Sequence, residues 1–118
     1  MELNDFQKQC MSTCTDSSKN MMYMFFGLQA EVGEVADKIA KGIRKDLVAI
    51  DNNYIALECS IIDSFNDELK AEVADCAWFI AGICEVMGWQ MQDLADLLKD
   101  KLNSRKERGV IIGNGDNR

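Results

Sequence analysis

Apolar residues recur at helical spacing along most of this chain, and no proline interrupts them. That combination predicts an all-α fold. Within it one pattern nearly repeats: LQAEVGEVADKIA at 28–40 returns 41 positions later as LKAEVADCAWFIA at 69–81. Each copy sets two acids beside an apolar helical stripe, Glu31 and Glu34 in the first and Glu72 and Asp75 in the second.

Start and stop signals divide the helices. Helix 1 is expected to open with Asn4 as N-cap, to carry Leu3, Phe6, Cys10 and Cys14 on one face, and to give way at TDSSKN. Helix 2 begins after Asn20 and runs to about Gly42. Helix 3 spans about Phe65 to Met87 and stops at Gly88, and helix 4 starts near Met91 with Leu94, Leu98 and Leu102 on one side. Between Gly42 and Phe65 an Asp-Asn-Asn turn signal precedes room for a short extra helix around Tyr54 to Ile62. The glycine-rich ending GVIIGNGDNR reads as an extended tail. A chain of 118 residues is long enough for one modest core. The expectation is a single domain over residues 1–118, an antiparallel bundle of four or five helices.

Several partner classes are disfavoured. The formal net charge of −7 argues against a nucleic-acid duplex, whose phosphates call for concentrated Lys and Arg. An acidic protein binds nucleotides when a metal cation stands between. No apolar run approaches the roughly 20 residues that cross a bilayer, and MELNDFQKQC lacks the basic-then-apolar start of a signal peptide. No membrane association and a cytoplasmic location are therefore expected. Five cysteines without a CxxC pair, in a chain without histidine, point to reduced packing residues rather than zinc ligands.

At about 100° per residue, the helix 2 stripe is centred on Leu28, Val32, Val35 and Ile39. Glu31 then lies about 60° to one side of Leu28, and Glu34 about 120° to the same side. Glu72 and Asp75 stand at matching angles off Leu69, in the stripe Leu69, Val73, Cys76 and Ile80. Packed stripe to stripe, the two helices bring four carboxylates to the edge of a shared core. Gly33 leaves room for close approach, although a mid-helix glycine costs roughly 1 kcal/mol. Each like-charged pair at 4 Å costs about 4 kcal/mol at an effective dielectric near 20, so a cation belongs among the four. Oxygen-only ligands favour a hard ion, Mg²⁺ or Mn²⁺. A di-iron carboxylate bundle would need Glu-x-x-His motifs, and there are none. A lone E-x-x-E is ordinarily a solvated face; two pairs at matching angles in near-repeated contexts favour a metal site.

With EVGE at 31–34, EVAD at 72–75 and KLNSRKERGVIIGNGDNR at the end, the chain resembles the MazG-like all-alpha nucleoside triphosphate pyrophosphohydrolases over nearly its whole length. The resemblance implies hydrolysis of a (deoxy)nucleoside triphosphate to the monophosphate and pyrophosphate, as housekeeping of the nucleotide pool. It also implies Mg²⁺ on Glu31, Glu34, Glu72 and Asp75, and a core completed by homodimer or homotetramer formation. Glu34, with Glu31 beside it, is the candidate general base. Lys38, Lys101, Arg105 and Arg108 are candidates for phosphate oxygens, Lys38 having as an equal reading a surface ion pair with Glu34. Trp78 and Phe79 are both candidates to stack on the base, Phe79 the better of the two, since Trp78 points off the stripe and reads more as a residue of a subunit interface.

The chain departs from the family pattern in two places. Its spacer of 37 residues between Glu34 and Glu72 is longer than is common. Leu98 stands where many relatives carry an asparagine one turn before the lysine matched by Lys101, which leaves Asn103 as the candidate substitute. Two other readings remain open: a nucleotide-binding or regulatory protein without turnover, and a plain helical oligomerisation bundle.

Overall fold

Four helices carry the fold in the computed structural model, which describes residues 1–51, 54–57 and 62–113. They are α1 (Leu3–Met11), α2 (Met21–Arg44), α3 (Ile62–Met87) and α4 (Met91–Glu107), with a 3-10 turn at Asp16–Ser18. Their ends follow local chemistry. The Asn20 side chain accepts the Tyr23 N–H at 2.8 Å and starts α2. Gly88, at φ +72°, takes the left-handed turn that stops α3, and the Trp89 N–H closes back on the Cys84 carbonyl at 2.8 Å.

Three expectations change. Helix α1 begins at Leu3, with Glu2 as its N-cap, and ends before Cys14. The Asn4 side chain serves another helix instead: its Oδ1 accepts the Gln92 N–H of α4 at 3.1 Å, and Gln7 Oε1 accepts the Met91 N–H at 2.8 Å. In the long connection, the extra helix gives way to strands β1 (Val48–Asp51) and β2 (Tyr54–Leu57), paired antiparallel from Val48 opposite Leu57 to Asp51 opposite Tyr54. VAID and YIAL flank two asparagines, the arrangement of a two-residue hairpin, and a four-residue apolar run has no period of its own to declare. The rest of that helix reading, 58–61, lies outside the described residues. The tail makes turns rather than an extended strand over 108–112, and its last five residues, 114–118, also lie outside the description.

Helices α2 and α3 form the main packed pair, α1 lies across α3, and α4 packs chiefly against α1. Close approach of α2 and α3 rests on missing side chains. A methyl on Gly27 would overlap the Phe79 ring, one on Gly82 would overlap Met24, and one on Gly42 would come within 2.7 Å of Phe65. Met24, Ala81 and Cys84 are fully buried around this contact, with Cys10 from α1 and Phe65 closing its ends. The four described cysteines are free thiols, as expected; Cys59 lies outside the described residues. Among the described residues no helix is long and apolar enough to cross a membrane.

Candidate metal centre

The contacts that pair α2 with α3 define an antiparallel seam. Met24 faces Gly82, Gly27 faces Phe79, Glu31 faces Asp75, Lys38 faces Glu68 and Gly42 faces Phe65. Each step along α2 is matched, to within one residue, by a step back along α3. Glu31, Glu72 and Asp75 therefore lie along the seam. The valines read as stripe centres turn outward, Val32 at 54% and Val73 at 51% exposure. Glycine carries no hydrophobic signal, so a stripe drawn from apolar residues is rotated away from the face that glycines let into contact. Gly33 also faces outward: a methyl there would meet nothing from the neighbouring helix within 4 Å.

Three of the four predicted acids converge. One oxygen each from Glu31, Glu72 and Asp75 can be chosen so that all lie within 4.8 Å of one another. Glu31 and Glu72 are half-buried and Asp75 is exposed, which follows the 60° and 120° offsets. Burial, and then the charges of Asp75, Glu72 and Glu34, push the Glu31 carboxyl above its ordinary pKa of 4.5. Burial, and then the charges of Glu31, Asp75 and Glu72, raise the Cys76 thiol. Such a trio is short of positive charge.

The donors fit a hard cation. Bonds of about 2.0–2.6 Å to oxygen place opposite ligands roughly 4–5 Å apart, so the present spacing needs no backbone movement to embrace an ion. Glu34, the fourth predicted acid, is exposed and stands outside the trio, though its charge is felt at Glu31.

The other predicted residues divide between the seam and the far side. Lys38 does not pair with Glu34. Its ammonium crosses to α3 and sits 3.6 Å from Glu68 and 3.7 Å from Glu72. Phe79 packs its ring against Tyr23, centroids 5.8 Å apart, and both line an open groove with Glu31, Asp75 and Trp78. The Trp78 indole N–H donates toward the end of α1, 3.0 Å from the Cys10 carbonyl and 2.9 Å from Thr13 Oγ1. Lys101, Asn103 and Arg105 sit on α4 and Arg108 is its C-cap; the helix packs chiefly on α1 rather than along the seam. Arg105 is buried there, and the Arg108 Nε–H donates to Ser104 Oγ at 3.1 Å.

Sequence reasoning missed Tyr23 and Glu68. Glu68 precedes Glu72 by one helical turn on the same face, a signal that was present in the spacing. Tyr23 belongs to an aromatic-rich helix start, MYMFF, where nothing local separates groove from core.

Comparison with known proteins identifies relatives of the chain. The family model described as the MazG nucleotide pyrophosphohydrolase domain matches residues 20–110, which include α2, α3 and α4 but not α1. The chain is similar to the Gene 37 protein of Mycobacterium phage L5, 36% identical over 104 residues, covering 87% of this chain and 81% of that one. No solved structure matches.

Proposed function

This chain belongs to the MazG nucleotide pyrophosphohydrolase family, and on that premise we propose that it hydrolyses a (deoxy)nucleoside triphosphate to the monophosphate and pyrophosphate. The observation that carries this reading is the convergence of Glu31, Glu72 and Asp75 from two helices. Those three hold Mg²⁺, with Mn²⁺ as the natural substitute; the ion supplies charge screening for the polyphosphate and polarisation at phosphorus. The chain's own residues do the rest. Glu34, adjacent to the trio but outside it, keeps a carboxylate available to take the proton of the attacking water as one phosphoanhydride bond is replaced by a bond to its oxygen. Lys38, set on the seam beside Glu72, meets phosphate oxygens. Phe79 and Tyr23 form an aromatic wall one groove-width from the acids, suited to a nucleobase.

The working form is a homodimer or homotetramer in the cytoplasm, clearing surplus or unwanted nucleotides. Support for the assembly comes from large apolar side chains left half exposed on α2 (Phe25, Phe26, Val32) and on α4 (Leu97, Leu98, Leu102).

The test is pyrophosphate release from a panel of NTPs and dNTPs with Mg²⁺. Turnover of at least one nucleotide is expected, and Glu34→Gln or Asp75→Asn should lower it by at least about 10–100-fold, the scale seen even when a residue that only supports a metal ligand is lost, with the helical fold intact. Tight nucleotide binding without turnover of any of them would leave a binding protein in place of an enzyme.

A further inference from the structure

Glu72 serves two neighbours at once. It belongs to the three-acid cluster with Glu31 and Asp75, and it also holds the Lys38 ammonium at 3.7 Å. Lys38 has a second anchor, Glu68, at 3.6 Å, one turn before Glu72 on α3. The three side chains differ in exposure: Glu72 is the most sheltered at 23%, Lys38 is at 30%, and Glu68 stands out in solvent at 57%. The neighbouring lysine, Lys41, is engaged differently, bound to Asp37 on its own helix. Lys38 thus spans the seam, and its reach covers a site inside the cluster and a site just outside it.

We infer that Lys38 is the resident counter-cation of the acid cluster, exchanged for a divalent ion, and that Glu68 is the positioning residue that receives its ammonium when the exchange occurs. The inference rests on the proposed metal site. Without a divalent ion, Glu68 and Glu72 are like charges at i and i+4, and Lys38 between them offsets a repulsion that the helix would otherwise bear. With a divalent ion on Glu31, Glu72 and Asp75, an ammonium against Glu72 meets two positive charges. It gives up Glu72 and closes on Glu68, which it already approaches at 3.6 Å, a shift that the flexible four-carbon stem covers by side-chain rotation alone. Held on Glu68 it stays on the seam, clear of the metal ligands. Two consequences follow for the nucleotide-free protein: Lys38 weakens divalent-ion binding by competing for Glu72, and Glu68 strengthens it by drawing Lys38 off.

Mn²⁺ binding to the nucleotide-free protein, followed by the EPR signal of free Mn²⁺ at fixed ionic strength, tests both. Lys38→Met should tighten Mn²⁺ binding about three- to tenfold, a sign that damage to the fold would not produce, while raising KM for the nucleotide. Glu68→Gln should weaken Mn²⁺ binding severalfold beyond Asp67→Asn, the control for loss of one acid on the same helix. In the Lys38→Met background the excess effect of Glu68→Gln should vanish, which isolates the coupling between the two side chains. Unchanged or weaker Mn²⁺ binding in Lys38→Met, or an excess effect of Glu68→Gln that survives without the lysine, overturns the exchange while leaving the metal site standing. Absence of Mn²⁺ binding in both the unaltered chain and Lys38→Met removes the metal site itself, and the exchange with it.

Discussion

Gly27 is where the seam and the groove depend on a single hydrogen atom. The Phe79 ring occupies the space that a side chain at 27 would fill, and the same ring forms the groove wall with Tyr23. Gly27→Ala is expected to destabilise the protein by about 1–3 kcal/mol, the usual range for overpacking, and to raise KM more than it lowers kcat because the aromatic wall is displaced. Chemical denaturation and steady-state kinetics check the two effects separately. Glu31 yields a prediction in pH. Its folded-state pKa lies above 4.5, so the folded protein holds that proton more tightly than the unfolded chain does. The resulting penalty is absent below the ordinary pKa, grows as pH rises through the folded value, and is complete above it. In EDTA, Glu31→Gln should therefore melt higher than the unaltered chain at pH 7.5 and alike at pH 4, and Mg²⁺ should reverse the order at pH 7.5. A gain independent of pH would mean that the charge of Glu31 is not strained.

Helix α1 ties the end of α3 to the start of α4. Gln7 is buried, and each of its polar atoms is engaged: Nε2 donates to Glu85 at 3.2 Å and to the Trp89 carbonyl at 3.0 Å, while Oε1 accepts from Met91. Gln7→Ala strands these groups, and a loss of about 1–3 kcal/mol is expected from denaturant unfolding; Asn4→Ala should cost about 1 kcal/mol, as a lost helix cap does. These contacts also explain what was legible in the sequence. Asn20 and Gly88 announce the start of α2 and the end of α3 because their partners lie within a few residues. Asn4 looked like a cap of its own helix, but its partner is 88 positions away, and no local pattern encodes that. The convergence of Glu31, Glu72 and Asp75 was legible from helical angles and the near-repeat. The outward turn of Val32 and Val73, and the crossing of Lys38 to Glu68, were not, because they depend on which faces Gly27, Gly42 and Gly82 allow to touch.

A radius of gyration of 17.6 Å is large for this chain, since a compact 118-residue domain has about 13–14 Å. It is close to the roughly 17–18 Å of a compact protein twice as long. Light scattering after gel filtration should give at least twice the 13.3 kDa of one chain, and Phe25→Glu or Leu98→Glu, each placing a charge on a half-exposed apolar face, should shift the mass toward the monomer. A monomeric unaltered chain would refute the assembly. The hairpin between the two seam helices bears on a different matter, the history of the chain's length. Val48 and Leu57 are paired, so the path through β1 and β2 comes back to within a few ångströms of its departure. Residues inserted or deleted in matched numbers within that excursion leave α2 and α3 in register, with Glu31 still opposite Asp75. Length at this point is therefore close to neutral for the chemistry, and relatives with shorter or longer spacers are free to diverge there while keeping the same acids face to face.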